Sequence, residues 1–418
     1  ARVIFLVCSF PEGRERAVSL MNSYLQEVAG SLVAYDTVSH NSNVEAMNYL
    51  SNCLDGHGFT VALQDTEVGG VTKSNLVATA GPPEEDGLIL SGHVDTVPFV
   101  DQPGWTREPL GLKVEDDRVY GRGTSDMKVF LAQCVDAAAQ IEIKKLARPL
   151  VFVFTADEEV GCLGSRRLLP ALTDCLKEVP KPSLAWIGEP TSYKVFHSHK
   201  GVVVFTIRIR GVGGHSSTPE IGVNAIAVAG KIIATIGEYQ AELLVAPSRE
   251  MSVLFPDSPY TTLNFGLVRG GTAGNMIADE CSIQVSYRPL PDTDPLACFL
   301  EIKRRMADVE LTDFSGSGHE ATVEFNAPLV VPSLLSPRGT PLERALFSVA
   351  DQTSSSGAPF ATDGCQLASA GISSLICGPG DLDQAHQPNE SIRRETFEDG
   401  TSRILEVVEM LCVRRDNL

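Results

Sequence analysis

The feature that most restricts this fold is a change in the period of its apolar residues near residue 200. Leu88 to Leu90 and Leu150 to Phe154 are short apolar runs that end in polar residues, Ser91-Gly92-His93 after the first and Thr155-Ala156-Asp157-Glu158-Glu159 after the second. Met127 to Ile141 and Ser165 to Leu172 read as helices, the first with one apolar face at helical spacing. Strands alternating with helices predict an α/β domain. From Val202 to Arg210 the pattern becomes strict alternation, ending Thr206-Ile207-Arg208-Ile209-Arg210. Alternation marks an antiparallel strand with one solvated face. A second domain is therefore expected to start there, which suits a chain of 418 residues, too long for one ordinary core.

The remaining elements fill in this outline. Arg16 to Gly56 has the spacing of an opening helix pair, followed by a strand from Thr60 to Leu63. In the second domain, Val223 to Ile236 and Pro295 to Val309 read as helices, and Thr262 to Val268 and Cys281 to Tyr287 as strands. Phe314-Ser315-Gly316-Ser317-Gly318 has a linker's composition, so the chain is expected to return to the first domain there, with helices at Pro341 to Ala350 and Glu395 to Cys412. The expected division is 1–200 with 315–418, and an inserted domain at 201–314.

A formal charge of -19, from 53 acidic and 34 basic residues, argues against nucleic acid or an anionic membrane as partner. Ten cysteines are scattered without a CxxC pair, the pattern of reduced, buried thiols in a reducing, cytoplasmic compartment. Ala1 to Phe10 is apolar but broken by Cys8 and Ser9 and has no small-residue cleavage site, so no signal peptide is expected. No stretch reaches the roughly 18 apolar residues of a membrane span.

Several short segments could carry chemistry. In an extended strand His93 and Asp95 point to one face, which suits a metal-binding imidazole and the carboxylate that orients it. Taken alone, this pair is more commonly structural. Glu158 and Glu159 stand at a strand end, where a cation would relieve their repulsion and one acid could serve as ligand and the other as base. Asp126 in Gly121-Arg122-Gly123-Thr124-Ser125-Asp126-Met127-Lys128 and Glu189 in Gly188-Glu189-Pro190-Thr191 each follow glycines that permit close backbone approach. His386 ends a turn-rich loop beginning at Cys377-Gly378-Pro379-Gly380.

In this order the segments resemble the M20 family of dinuclear zinc peptidases and acylases, over about Leu88 to Glu390. The resemblance implies a zinc-peptidase-like α/β domain, with a mixed sheet flanked by helices, and an inserted α+β lid or dimerisation domain of two helices on a four-stranded antiparallel sheet. It implies two Zn²⁺, with Co²⁺ as a possible substitute: Asp126 bridges them, His93 and Glu189 complete one site, and Glu159 and His386 the other. Glu158 would be the general base acting on a metal-bridged hydroxide, Asp95 would sit behind His93, and the Asp126–Met127 peptide would be cis. In the second domain, His215 of Gly214-His215-Ser216-Ser217 would stabilise the oxyanion in a partner subunit's site. Asn275 and Arg288 would hold the substrate's α-carboxylate, and the protein would be a homodimer.

Longer strings resemble the acetylornithine deacetylase branch of the family, among them Ser198-His199-Lys200-Gly201, Thr262-Leu263-Asn264-Phe265-Gly266 and Gln384-Ala385-His386-Gln387-Pro388. That branch implies a small N-acyl amino acid substrate. The succinyl-diaminopimelate desuccinylases and the broader acylases and dipeptidases are the alternatives, with a non-catalytic zinc-binding scaffold a remote one. One departure is Thr362-Asp363-Gly364, a desuccinylase string, where Asp363 could face a cationic side chain, cap a helix or support a ligand.

Overall fold

A computed structural model describes residues 12–244, 249–291 and 293–413, with side chains from residue 23 onward. The apolar start and Cys8 lie outside the described residues. Two compact units are present.

The first unit takes in the described residues of Ala1–Val195, Pro337–Ser354 and Thr362–Leu418. Its sheet runs in the order Thr60–Val68, Val71–Ala80, Leu150–Thr155, Leu88–His93, Leu184–Ile187, Ser373–Ile376. The first two pairings are antiparallel and the other three parallel, so the sheet is mixed as expected. Leu88–His93 and Leu150–Thr155 are buried along their whole length, which explains why they read as unbroken apolar runs. Helix Lys128–Gln140 is buried at every position from Lys128 to Ala138, because helices Glu12–Ala34 and Arg394–Cys412 both pack against it. Phe130 on that helix meets Trp186 of the sheet with ring centroids 5.7 Å apart.

Parallel pairing sets His93 opposite Thr155 and Ser91 opposite Ile187. Ile376 is likewise opposite Ile187. Four strands therefore deliver their carboxyl ends, and the loops that follow, to one edge of the sheet, the edge at which open α/β sheets bind ligands.

The second unit comprises the described residues of Phe196–Ser336 and Ser355–Ala361. Its antiparallel sheet has the order Thr262–Gly270, Glu280–Arg288, Val202–Arg210, Thr322–Phe325, and the short strand Leu329–Val331 also pairs with Val202–Arg210. Val202–Arg210 alternates between more and less buried positions, as its sequence predicts. Helix Ala225–Leu243 covers the sheet and packs on helix Ala297–Met306; its first N–H groups are capped by the Asn224 side chain, which accepts from Ile226 and Ala227.

The chain leaves this unit after Ser336 rather than near Ser315. Thr322–Phe325 and Leu329–Val331 supply ladder partners to Val202–Arg210, so these two strands, which follow the glycine-serine stretch, belong to its sheet. Gly316 and Gly318, both with left-handed backbone at φ of +73°, lie inside the unit. Glycine and serine mark a turn and a linker alike, and composition does not separate them.

Candidate active site

The site is assembled at the carboxyl edge of the first unit's sheet. His93 ends its strand, with Nδ1 2.9 Å from the Asp95 carbonyl oxygen and 3.5 Å from the Asp95 carboxylate. The imidazole is thus held chiefly by the main chain of Asp95. The Asp95 carboxylate accepts hydrogen bonds from Ser39 Oγ at 2.7 Å, Glu158 N at 3.0 Å and Glu159 N at 3.3 Å. One residue therefore fixes both the imidazole and the acid pair.

Asp126 stands between two imidazoles: Oδ1 is 3.1 Å from His93 Nε2, and Oδ2 is 3.2 Å from His386 Nε2. Its peptide with Met127 is cis. Glu159 reaches His386 Nε2 at 3.1 Å, and Glu189 Oε2 lies 3.8 Å from His93 Nε2. The five expected ligands thus converge, Asp126 in the middle. His93, Asp126 and Glu159, and separately His93, Glu158 and Glu189, place ligand atoms within 4.8 Å of one another.

These loops are held tightly. A Cβ added at Gly164 would lie 1.9 Å from the Ala156 carbonyl oxygen, and one at Gly188 2.0 Å from Phe130 Cδ1, so only glycine allows these approaches. Asp157, between the strand end and the acid pair, has φ of +55° and is anchored by Lys73 at 3.0 Å and Arg167 at 2.5 Å. Glu390 accepts from the Ser125 and Asp126 N–H groups and pairs with buried Arg122 at 2.7 Å. Sequence reasoning missed Glu390 and Lys73, which are distant in the chain from what they anchor; no spacing signals them.

Negative charge is in excess here. Burial and the Glu189 carboxylate hold Glu158 well above the ordinary carboxylate range. Burial raises Glu189 to about 7, and burial with the Asp126 carboxylate raises Glu159. Hydrogen bonding to Asp126 and Glu159 lifts His386 to about 10. Among the described residues, no hydrogen-bond partner reaches the buried Oε1 atom of Glu189. An orphaned carboxylate oxygen in a nest of acids and imidazoles is what divalent cations satisfy, and the donor set of carboxylate oxygen and imidazole nitrogen fits zinc and its neighbours.

Asp363 faces hydroxyls. Its two oxygens accept from Thr155 Oγ1 and Ser165 Oγ, both at 2.5 Å. The Thr-Asp-Gly departure thus buttresses the strand end and the following helix.

The other three expected residues lie in the second unit. His215 is exposed, its Nδ1 2.7 Å from Ser217 Oγ, on a two-residue bridge opposite Met276. Asn275 is next to it, its carbonyl oxygen accepting from Ser216 N at 3.1 Å. Arg288 ends strand Glu280–Arg288 and lines a cavity of about 330 Å³ with Lys200, Phe255 and Ser356. Lys200 Nζ donates to the carbonyl oxygens of Ser258 at 2.5 Å and Tyr260 at 2.7 Å.

Acids converging on two imidazoles suit a metal-dependent hydrolase of amide bonds. The chain belongs to peptidase family M20/M25/M40, whose profile matches residues 89–410. It is 34% identical over 394 residues to the acetylornithine deacetylase of Proteus mirabilis (strain HI4320), covering 92% of this chain and 94% of that one. Among solved structures, the di-peptidase Dug1p of Saccharomyces cerevisiae superposes with a TM-score of 0.73 at 14% identity, over 95% of this chain and 97% of that one. The Bacillus subtilis YXEP protein, a dinuclear metal binding peptidase from the M20 family, gives 0.63 at 17%, over 94% and 99%. Among the described residues no helix is long and apolar enough to cross a membrane.

Proposed function

We propose that this chain hydrolyses N-acetyl-L-ornithine to L-ornithine and acetate, a step of arginine biosynthesis. The observation that carries the reading is a complete acid and imidazole cluster in a chain 34% identical to an acetylornithine deacetylase over nearly its full length. His93, Asp126 and Glu189 would hold one Zn²⁺, and Asp126, Glu159 and His386 the other, with Co²⁺ able to replace zinc. When bound, such ions polarise an amide carbonyl and acidify water. Glu158 takes the proton of the attacking water and returns it to the departing amine nitrogen, a task suited to a carboxyl held above its ordinary range. Asp95 keeps Glu158 in place through the main-chain N–H it binds.

Arg288 and Asn275 grip the substrate's α-carboxylate, where a planar guanidinium can donate two parallel hydrogen bonds. His215 donates to the developing oxyanion, serving the neighbouring copy's site in a homodimer of the reducing cytoplasm; a fully active monomer would contradict this. The hydroxyl partners of Asp363 give it a buttressing role, so Thr362-Asp363-Gly364 does not by itself argue for a diaminopimelate side chain.

The test is to compare turnover of N-acetylornithine, succinyl-diaminopimelate and a dipeptide by the zinc- or cobalt-loaded protein. Preference for N-acetylornithine supports the reading; preference for either other substrate moves the protein to another branch, and turnover of none with two metals bound would favour a scaffold.

A further inference from the structure

A second cluster of metal-ligating atoms shares Glu158 with the site above but draws its other members from elsewhere. Glu158, Cys162 and Asp363 each place a ligand atom within 4.8 Å of the others, and Cys162 Sγ is 3.4 Å from Glu158 Oε1. The Cys365 side chain is hydrogen-bonded to that of Cys162, so a second thiol stands next to Cys162, just outside the set of three. Cys162 and Asp363 are 2% exposed and Cys365 1%.

The chain brings the thiol here by an uncommon route. Gly161 and Cys162 both adopt left-handed backbone, with φ of +112° and +54°, and both donate their N–H to the Glu158 carbonyl oxygen at 2.9 Å. A non-glycine residue seldom takes this conformation. Ser165 Oγ ties the same turn to Asp363, donating to the Cys162 carbonyl at 3.1 Å and to the Asp363 carboxylate at 2.5 Å. The Asp363 carboxylate accepts from the neutral hydroxyls of Thr155 and Ser165, and among the described residues it makes no ion pair.

We propose that Glu158, Cys162, Asp363 and Cys365 form an additional, inhibitory cation site for a thiophilic divalent ion such as Zn²⁺ or Cd²⁺. Two carboxylates and two thiols are a tetrahedral ligand set, and thiolates select zinc and softer ions over magnesium, calcium and manganese. On binding, each thiol releases its proton to solvent and Glu158 becomes a ligand. The inhibition rests on Glu158 being the base; the site itself does not. Such an enzyme is activated by little zinc and shut down by excess.

The experiment titrates the protein carrying its two family metals with Cd²⁺, following metal content and the ultraviolet thiolate-to-cadmium charge-transfer band, and then turnover. The imidazole and carboxylate site has no sulfur, so exchange of cadmium into it yields no band. Expected are an extra equivalent, the band, and a fall in turnover of roughly 100-fold, the size of a lost general base. C365S should keep turnover without cadmium, lose part of the band and need about tenfold more cadmium for inhibition. C162S should lose band intensity as well, and circular dichroism of both variants checks that they fold. Absence of the band in the wild-type protein, or an unchanged band in both variants, overturns the site. A band with undiminished turnover overturns the inhibition and points to the reading of Glu158, a separate failure because binding is read without substrate.

Discussion

The two units carry opposite surpluses of charge. At the sheet edge of the first, Asp126, Glu158, Glu159 and Glu189 crowd two imidazoles, and burial raises three of these four acids. In the second, Arg288 and Lys200 line one cavity, and Lys200 is met by carbonyl oxygens and a hydroxyl. Uncompensated buried charge is costly, and at the sheet edge it is relieved by cations, whereas the cavity, lined also by Asp257 and with Arg288 exposed, holds a smaller positive surplus. The first unit thus suits cations, and the cavity of the second can meet an anionic group.

The most severe way to break this comparison is Glu158→Gln. It keeps the metal ligands, so both metals should remain while turnover falls about 10²- to 10⁴-fold, the range for a lost general base. Metal analysis beside steady-state kinetics decides it, and retained turnover sinks the assignment. Arg288→Ala comes next, with KM rising roughly 10- to 100-fold and little change in kcat, as for a lost hydrogen bond to a charged group. An unchanged KM would remove the second unit from substrate binding.

Gly164→Ala sharpens the contrast in construction, because the acid site depends on backbone approach. Its Cβ would meet the Ala156 carbonyl at 1.9 Å, so stability should drop by about 1–3 kcal/mol in urea unfolding of the metal-free protein. The smallest effect concerns Lys200, which burial, and then Arg288, lower from 10.5 to about 8. Between these values the unfolded chain binds more protons than the folded one, so this group's contribution to stability rises with pH there. Thermal melts from pH 8 to 10 should show the wild type gaining on Lys200→Met, and parallel curves would deny the shift.

Much of this was legible in the chain. Burial on both faces wrote Leu88–His93 and Leu150–Thr155 as apolar runs, and one solvated face wrote Val202–Arg210 as an alternation. The helix read from Ser165 to Leu172 is in fact helix Leu163–Leu168, a 3-10 turn Leu169–Ala171 and helix Leu172–Leu176, with Pro170 at the junction. Proline cannot donate the N–H that a continuous helix would use. The exit from the second unit was misplaced because strand pairing over residues 322–331 is a long-range fact that local composition does not hold.

By itself, then, the sequence determined residue types and their order: the strand-end acids, the two histidines, the glycines beside them, and the two sheet patterns. Those follow from local chemistry and from periodicity, which any short window contains. The tertiary structure decided which groups meet. It set Asp126 between His93 and His386, gave Asp95 the main chain of Glu158 and Glu159 to hold, turned Asp363 toward two hydroxyls, and brought Cys162 to Glu158 with Cys365 beside it. Parallel strands far apart in the chain end at one edge, so contacts there are fixed by sheet order and register, quantities that no single segment encodes.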